Sequence, residues 1–314
     1  MAEAPRLRTT MEFAYGVPRE LAPGVVRLVA NNPSPFTFKG TNTYLLGTGG
    51  EVALIDPGPT DAVHLEAILT AVGSRRLSHI LITHTHRDHV DGLEALVAAT
   101  GARTAGFGRR AIAPGRKVTS PSGSEHVDQD FAPDVALAHG DRLEGDGWAV
   151  TALHTPGHAP DHLCFALEGP GVGALEGAGT GTGILFSGDH VMGWNTSVVA
   201  PPEGRMADYL RSLELLGERA DRVYFPGHGG RVAEPQRLVK AFLLHRRMRE
   251  QAILDCIRAG TNTVRAIVPE IYRGLDPRLV KAASLSVLAH VEHLISRGLV
   301  RADSPLSADQ PLSS

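Results

Sequence analysis

Between residues 24 and 58, short runs of β-branched and leucine residues alternate with glycine turns. GVVRLVA (24–30), TNTYLLG (41–47) and EVALIDPG (51–58) read as consecutive strands, and the GTGG between the last two suits a hairpin. Helical spacing fills 61–72, a strand follows at HILIT (79–83), and DGLEALVAA (91–99) is again helical. Strand and helix in alternation predict a sheet covered by helices. Residues 108–134 hold glycine, proline, serine and charge without periodicity and are expected to form a long surface loop, of a length that often shapes a substrate site. Strands resume at 148–158, 162–168 and 183–190. The glycine-dense GPGVGALEGAGTGTG (169–183) between the last two reads as a flexible hairpin tip, because it lacks the G-x-x-x-x-G-K-[ST] of a phosphate-binding loop.

From about residue 204 the period becomes helical. RMADYLRSLELLGERA (205–220) is followed by a short strand and turn, RVYFPGHG (222–229), and then by helices over 234–258, 261–272 and 277–300. Thr261 or Thr263 can cap the second of these and Asp276–Pro277 can start the third. The division expected is a main domain over 1–236, a small helical domain over 237–302 with a short wing near SRGLVRAD, and a disordered tail over 303–314.

Composition narrows the function classes. Lys and Arg number 31 against 34 Asp and Glu, a formal net charge of -3, which argues against a general nucleic-acid coat or a membrane-surface binder. The charge is uneven. Residues 240–301 hold eleven Lys and Arg against five Asp and Glu, so this stretch is +6 and the remainder is -9. Two cysteines, Cys164 and Cys256, form neither a disulfide framework nor a C-x-x-C pair. The opening residues lack an apolar core of signal-peptide length and no run is long enough to span a bilayer, so the expectation is a soluble cytoplasmic protein without a membrane partner.

The chemistry concentrates in ITHTHRDHVDG (82–92). His84 and His86 alternate, so at a strand end their rings point the same way while Thr85 points back; Asp88 and His89 follow where the chain must turn. His158, Asp189 and His228 each follow a further predicted strand and sit beside glycine. Singly, each reads as a hydrogen-bonded loop residue. Jointly, seven ligand-type residues at strand ends point to a metal centre at one edge of a layered sheet.

H-T-H-R-D-H resembles the H-x-H-x-D-H signature of the metallo-β-lactamase-fold hydrolases, and the later His, Asp and His stand in the order of that family. NPSPFTFKGTNTYLLGTG, GDHVMGWNTSVVAPPEG and the helical C-terminal stretch resemble more closely the beta-lactamase-like protein 2 group, related to glyoxalase II-type thioesterases and, more distantly, to ribonuclease Z-type nucleases. The resemblance implies an α/β fold, a four-layer αββα sandwich with a winged-helix-like C-terminal domain. It implies one metal on His84, His86 and His158, a second on Asp88, His89 and His228, and Asp189 bridging both. Imidazole and carboxylate ligands suit Zn²⁺, with Mn²⁺ and Fe²⁺ as alternatives. Two ions about 3.5–4 Å apart can share a water and acidify it, and the resulting hydroxide would attack a carbonyl carbon or a phosphorus, with Asp88 orienting it.

The expected reaction is hydrolysis of a small ester, thioester or lactone. The alternative is endonucleolytic cleavage of single-stranded RNA, and a third reading is a single-iron persulfide dioxygenase-type redox enzyme, against which the full ligand set counts. The +6 stretch, with Arg246, Arg247 and Arg249 crowded in one segment, would supply phosphate contacts in the RNA case; otherwise the module is a packing block, a lid or a homodimer surface. Asp56 is expected either to support the metal loop or to be a plain turn residue, Asp161 and His162 to touch substrate or start a strand, and Trp194 and Asn195 to line the pocket. Arg87, His64, His79, His139 and His190 are expected to be structural or solvated.

Overall fold

In the computed structural model, which describes residues 7–108, 127–128, 130–168, 183–302 and 306–314, Tyr44 and Leu46 face one side of a strand, Leu45 faces the other, and all three are buried. A strand buried on both faces belongs inside a layered molecule. It is β3 (Asn42–Leu46) of a seven-stranded sheet in sequence order: β1 (Arg19–Ala22), β2 (Val25–Val29), β3, β4 (Glu51–Ile55), β5 (Arg76–Leu81), β6 (Arg103–Phe107) and β7 (Val135–Leu137). The first four strands pair antiparallel and the rest parallel. A second sheet orders β8 (Arg142–Gly145), β9 (Trp148–His154), β10 (Leu163–Glu168), β11 (Gly183–Gly188) and β12 (Asp221–Pro226), with β11 and β12 parallel.

Between the sheets lie Tyr44, Leu46 and Ile55 from one and Val150, Phe165, Phe186 and Phe225 from the other. The outer face of the first sheet packs Leu45 and Leu54 against Ile68 of α1 (Ala62–Val72) and Leu96 beyond the single-turn α2 (Arg87–Val90), on α3 (Leu93–Thr100). The outer face of the second packs Leu185 and Tyr224 against Leu213 of α4 (Met206–Gly217) and Phe242 of α5 (Pro235–Arg258). The order is helix, sheet, sheet, helix, as the sequence leads one to expect. Among the described residues no helix is long and apolar enough to cross a membrane.

β9 and β11 both run antiparallel to β10, and β12 runs parallel to β11, so β9, β11 and β12 end on one edge. Two backbone hydrogen bonds tie the other sheet to that edge: Leu163 N–H donates to the Thr83 carbonyl and Asn42 N–H to the Gly227 carbonyl, both at 2.7 Å. The fold therefore brings the ends of β5, β9, β11 and β12 together.

Past its midpoint α5 enters a second core with α6 (Val264–Ile271) and α7 (Val280–Ser296), built on Ile253, Ile257, Ile267, Val287 and Leu294. Thr263 caps α6 by accepting from the Ala266 N–H, and Asp276 caps the turn into α7. α5 runs unbroken through the 236/237 boundary expected from sequence. The tail differs from its expectation of disorder over residues 306–314. Ser313 pairs with Arg301, the Leu312 N–H donates to the Asn262 carbonyl, and Leu312 is buried in the module core. Leu312, with Leu306 and Ala308 packed against the same core, outweighs the polar composition around it. Most of the loop expected over 108–134, and the glycine-dense tip at 169–182, lie outside the described residues.

Arg246, Arg247 and Arg249 of α5 do not form one shared basic surface. Arg246 is 3% exposed, Arg249 donates to the Ile271 carbonyl and stacks on Tyr272, and Arg247 pairs with Glu214. Nearby, the buried Glu250 of α5 accepts from His293 Nδ1 at 2.6 Å and Arg297 Nη1 at 2.7 Å of the α7 end. Burial pushes its carboxyl up, but His290 and His293 outweigh this and hold it at about 2, below the ordinary 4.5. A depressed carboxyl stabilises the fold fully above pH 4.5, and that contribution is lost as pH falls through about 2. Hydrogen exchange in α5 and α7 is therefore expected to accelerate over this window. Glu250→Gln should exchange faster at pH 7 and show less further acceleration in acid; an unchanged acid response would show that another group controls it.

Candidate metal centre

After β5 the chain bends at Thr83 and runs through His84 and Thr85 outside any regular strand, so the placement of these side chains comes from what holds them. The threonines are held from behind by two buried carboxylates. Asp56 accepts from Thr83 N–H at 2.8 Å and Oγ1–H at 2.7 Å; Asp161 accepts from Thr85 N–H at 3.1 Å and Oγ1–H at 2.7 Å. This pairing turns His84 and His86 forward. His86 caps α2, whose first turn carries Asp88 and His89. Val127 and Asp128 pair with His86 and Thr85, so the end of the long loop runs along this segment.

All seven residues singled out in the sequence meet here. His84 Nε2 and His158 Nε2 each lie 2.9 Å from His86 Nδ1. His228 Nε2 lies 3.2 Å from His89 Nε2 and 3.1 Å from Asp88 Oδ2. Asp189 stands between the two groups, 3.5 Å from His89 Nε2, 3.4 Å from His228 Nε2 and 3.7 Å from His158 Nε2. Gly227 is required beside it, because a Cβ there would lie 2.6 Å from both Asp189 Oδ1 and His89 Cε1.

The outer ring nitrogens determine what the inner ones offer. Thr83 Oγ1 gives its proton to Asp56 and therefore accepts from His84 Nδ1–H at 3.0 Å. His89 Nδ1–H donates to Asp56 at 2.8 Å, His158 Nδ1–H to the Val198 carbonyl at 2.6 Å, and His228 Nδ1–H to the Gly40 carbonyl at 3.3 Å. His86 Nε2 faces Glu203 at 3.4 Å. Each histidine thus holds its proton outward and turns a lone pair inward. Five lone pairs and two carboxylates facing one small volume need positive charge there. Without an ion, protons supply it: burial opposes a charge on His89 and His228, yet Asp88 and Asp189 raise both, His228 to about 9. Burial and the neighbouring imidazoles instead push His84 well down, leaving it neutral. The donor set and its orientation fit divalent metal ions, in three groups: His84, His86, His158; His84, His89, Asp189; and Asp88, His89, His228.

Asp56 is a support of this loop rather than a plain turn residue. Asp161 and His162, both buried, support the same segment: His162 Nε2 accepts the Asp189 N–H at 3.1 Å, while its Nδ1 bonds Thr155. Trp194 stacks on Phe38 at 5.0 Å, against Gly229, and Asn195 is exposed. Arg87 lies at the surface near Asp91, His64 is buried against Thr43, and His190 is buried against the Tyr209 ring. Sequence reasoning missed Glu203 and the Val198 carbonyl. Neither has a local signal, since each becomes relevant only where the β11–α4 connection folds back over the site.

Residues 36–228 match the family model of the metallo-beta-lactamase superfamily, and residues 263–305 that of the beta-lactamase associated winged helix domain. The chain is 32% identical to the beta-lactamase-like protein 2 homolog of Drosophila melanogaster, over 93% of this chain and 96% of that one. It is 33% identical to the lactamase-like protein nscB of Aspergillus fumigatus, over 74% of this chain and 61% of that protein. Among solved structures, a metallo-beta-lactamase family protein from Thermus thermophilus shares the fold at a TM-score of 0.71 and 24% identity, over 94% of this chain and 99% of its own.

Proposed function

Because this chain belongs to the metallo-beta-lactamase superfamily and carries its associated winged helix domain, we propose that it is a two-metal hydrolase acting on a small ester, thioester or lactone. The observation that carries this reading is the inward orientation of five imidazole lone pairs, with Asp189 within 3.7 Å of histidines from both groups. His84 Nε2, His86 Nδ1 and His158 Nε2 would hold one ion, Asp88, His89 Nε2 and His228 Nε2 the other, and Asp189 would touch both. Nitrogen and oxygen donors without thiolate favour zinc; Cys164 is wholly buried with its thiol pushed up to about 12. When bound, such ions supply Lewis acidity and an acidified water.

The chain's own contribution is to orient and to exclude. Asp88 is the more open of the two carboxylates, its side chain 19% exposed against 9% for Asp189, and would accept a hydrogen bond from the attacking water. The paired Phe38 and Trp194 rings stand beside the His228 turn and wall that side of the site. A small substrate is favoured over RNA because Arg246 and Arg249 are engaged within the protein and the chain outside 240–301 carries -9.

Elemental analysis of the purified, reconstituted protein is expected to give two ions per chain, and chelation to abolish hydrolysis until metal is restored. One ion or none would overturn the assignment. Thioesters, lactones and single-stranded RNA should then be screened in parallel at low and moderate salt. Turnover of an ester or thioester that depends weakly on ionic strength is the expected result. RNA cleavage that falls steeply with salt would move the function to the nuclease reading.

A further inference from the structure

The two halves of the metal centre are supported from different parts of the chain. Asp56 and the Gly40 carbonyl, both from the N-terminal half, hold His89 and His228. His158 and His86 instead lean on the connection between β11 and α4: the Val198 carbonyl accepts from His158, and the Glu203 carboxylate, with its side chain 9% exposed, faces His86. That connection is fixed by α5, which covers the second sheet and continues into the core of the C-terminal module. Arg246 of α5, 3% exposed, donates through Nη2 to the Ser197 carbonyl, adjacent to the one that holds His158. Its guanidinium lies over the Tyr209 ring at 5.2 Å, and its Nη1 reaches Ser286 of α7 at 3.4 Å. Ser197 Oγ and Tyr209 OH both donate to the His190 carbonyl, closing the base of the same loop. The Arg205 N–H donates to the Gly157 carbonyl, one residue from His158.

We infer that the C-terminal module positions one half of the metal centre, with Arg246 as the anchor of the segment that orients His158 and His86. Arg246 and Glu203 are positioning residues, since they act through those histidines. The guanidinium fork suits this place: one planar cation spans a carbonyl on the catalytic loop, a hydroxyl on α7 and an aromatic face, which an ammonium cannot do together. Loss of an outer hydrogen-bond partner of a metal-binding histidine typically lowers metal affinity about 10–100-fold. Here the loss should fall on one ion of the two.

This inference rests on the two-ion reading, and the test separates them. Stepwise Zn²⁺ affinities are measured by competition with a chromophoric chelator for the wild-type chain, Arg246→Met, Arg247→Gln, His158→Ala and the Arg246→Met/His158→Ala pair. For Arg246→Met, one step behind the direct partner, one affinity should drop by up to about 10-fold, the low end of the cost of losing that partner, while the other stays within about twofold, the scatter expected of independent sites. Arg247→Gln, at the surface of the same helix, should leave both unchanged. In the double variant the weakened affinity should be no lower than with His158→Ala alone. If Arg246→Met does not fold, Glu203→Gln, which keeps α5 packed, must give the same one-sided loss. Both ions weakened in step, or neither, overturns the inference alone. A wild-type chain that takes up a single ion overturns the two-ion reading and this inference with it.

Discussion

Asp189→Asn is expected to leave the protein folded and to lower hydrolysis by more than the roughly 10–100-fold cost of losing an outer support. The side chain is 9% exposed and lies between His89 and His228 on one side and His158 on the other. Asparagine keeps the shape but removes a shared negative charge and points an amide donor or a neutral oxygen at nitrogens that already face inward. The backbone placement survives, because it comes from His162 accepting the Asp189 N–H and not from the carboxylate. Zinc stoichiometry and turnover should fall together while the circular dichroism spectrum is retained. In the metal-free chain, His228 owes its rise to about 9 first to Asp189, against the opposing effect of burial. It should lose its proton at lower pH in the variant, which imidazole NMR can follow. His190→Asn is the control. That ring is fully buried, packs tilted against Tyr209 at 4.6 Å and is not among the seven residues that meet at the centre, so its replacement should lower thermal stability and spare metal content. Equal losses of metal from both variants would mean that the bridging role has been given to the wrong residue.

Asp56→Ala should be the most damaging change outside the seven inward-facing residues. One carboxylate holds Thr83 N–H, Thr83 Oγ1–H and His89 Nδ1–H, and is itself 1% exposed. Its backbone sits at φ +53°, a left-handed conformation that Asp and Asn tolerate better than alanine does. Removing the side chain strands buried donors at about 1–3 kcal/mol each. A fall in melting temperature of roughly 5–10 °C follows for the metal-free protein. Zinc affinity should also drop about 10–100-fold, because His89 loses the partner that fixes its tautomer. Asp56→Asn keeps the turn and one acceptor oxygen, and should recover most of the stability but less of the affinity. Unchanged zinc binding in Asp56→Ala would reduce Asp56 to a turn residue.

The site was legible in the sequence to an unusual depth because its ligand-type residues obey local geometry. Thr83 and Thr85 turn to their carboxylates while His84 and His86 meet at 2.9 Å, and a helix turn after His86 brings Asp88 and His89 to the same place. His158, Asp189 and His228 were recognisable because each follows a strand beside a glycine, where backbones approach closely. The strands built on apolar runs were legible for a similar reason: burial on both faces demands consecutive apolar residues, as in VALI of β4 and YLL of β3. β6, β7 and β8 carried no such mark. Their sequences RTAGF, VAL and RLEG are too short or too polar to stand out, and they are strands because a neighbour offers a hydrogen-bonding edge.

Partnerships between distant segments had no such trace. Asp161 reads as a substrate contact or the start of a strand, and nothing in its local sequence shows that its carboxylate holds Thr85, 76 residues away. Arg246, Arg247 and Arg249 read as one basic patch, yet the helix turns them to three surroundings: a buried carbonyl and aromatic ring, a surface glutamate, and the end of α6. The polar tail around Leu312 becomes ordered by a groove that exists only once α5, α6 and α7 have packed. Sequence alone pointed to His84, His86, Asp88 and His89 through spacing within a few residues, and to His158, Asp189 and His228 through their place at strand ends beside glycine and the family resemblance. Which carboxylate or carbonyl stands behind each histidine was decided by the tertiary structure, since an outer partner can come from any segment that the packing of two sheets and a helical module happens to bring within about 3 Å.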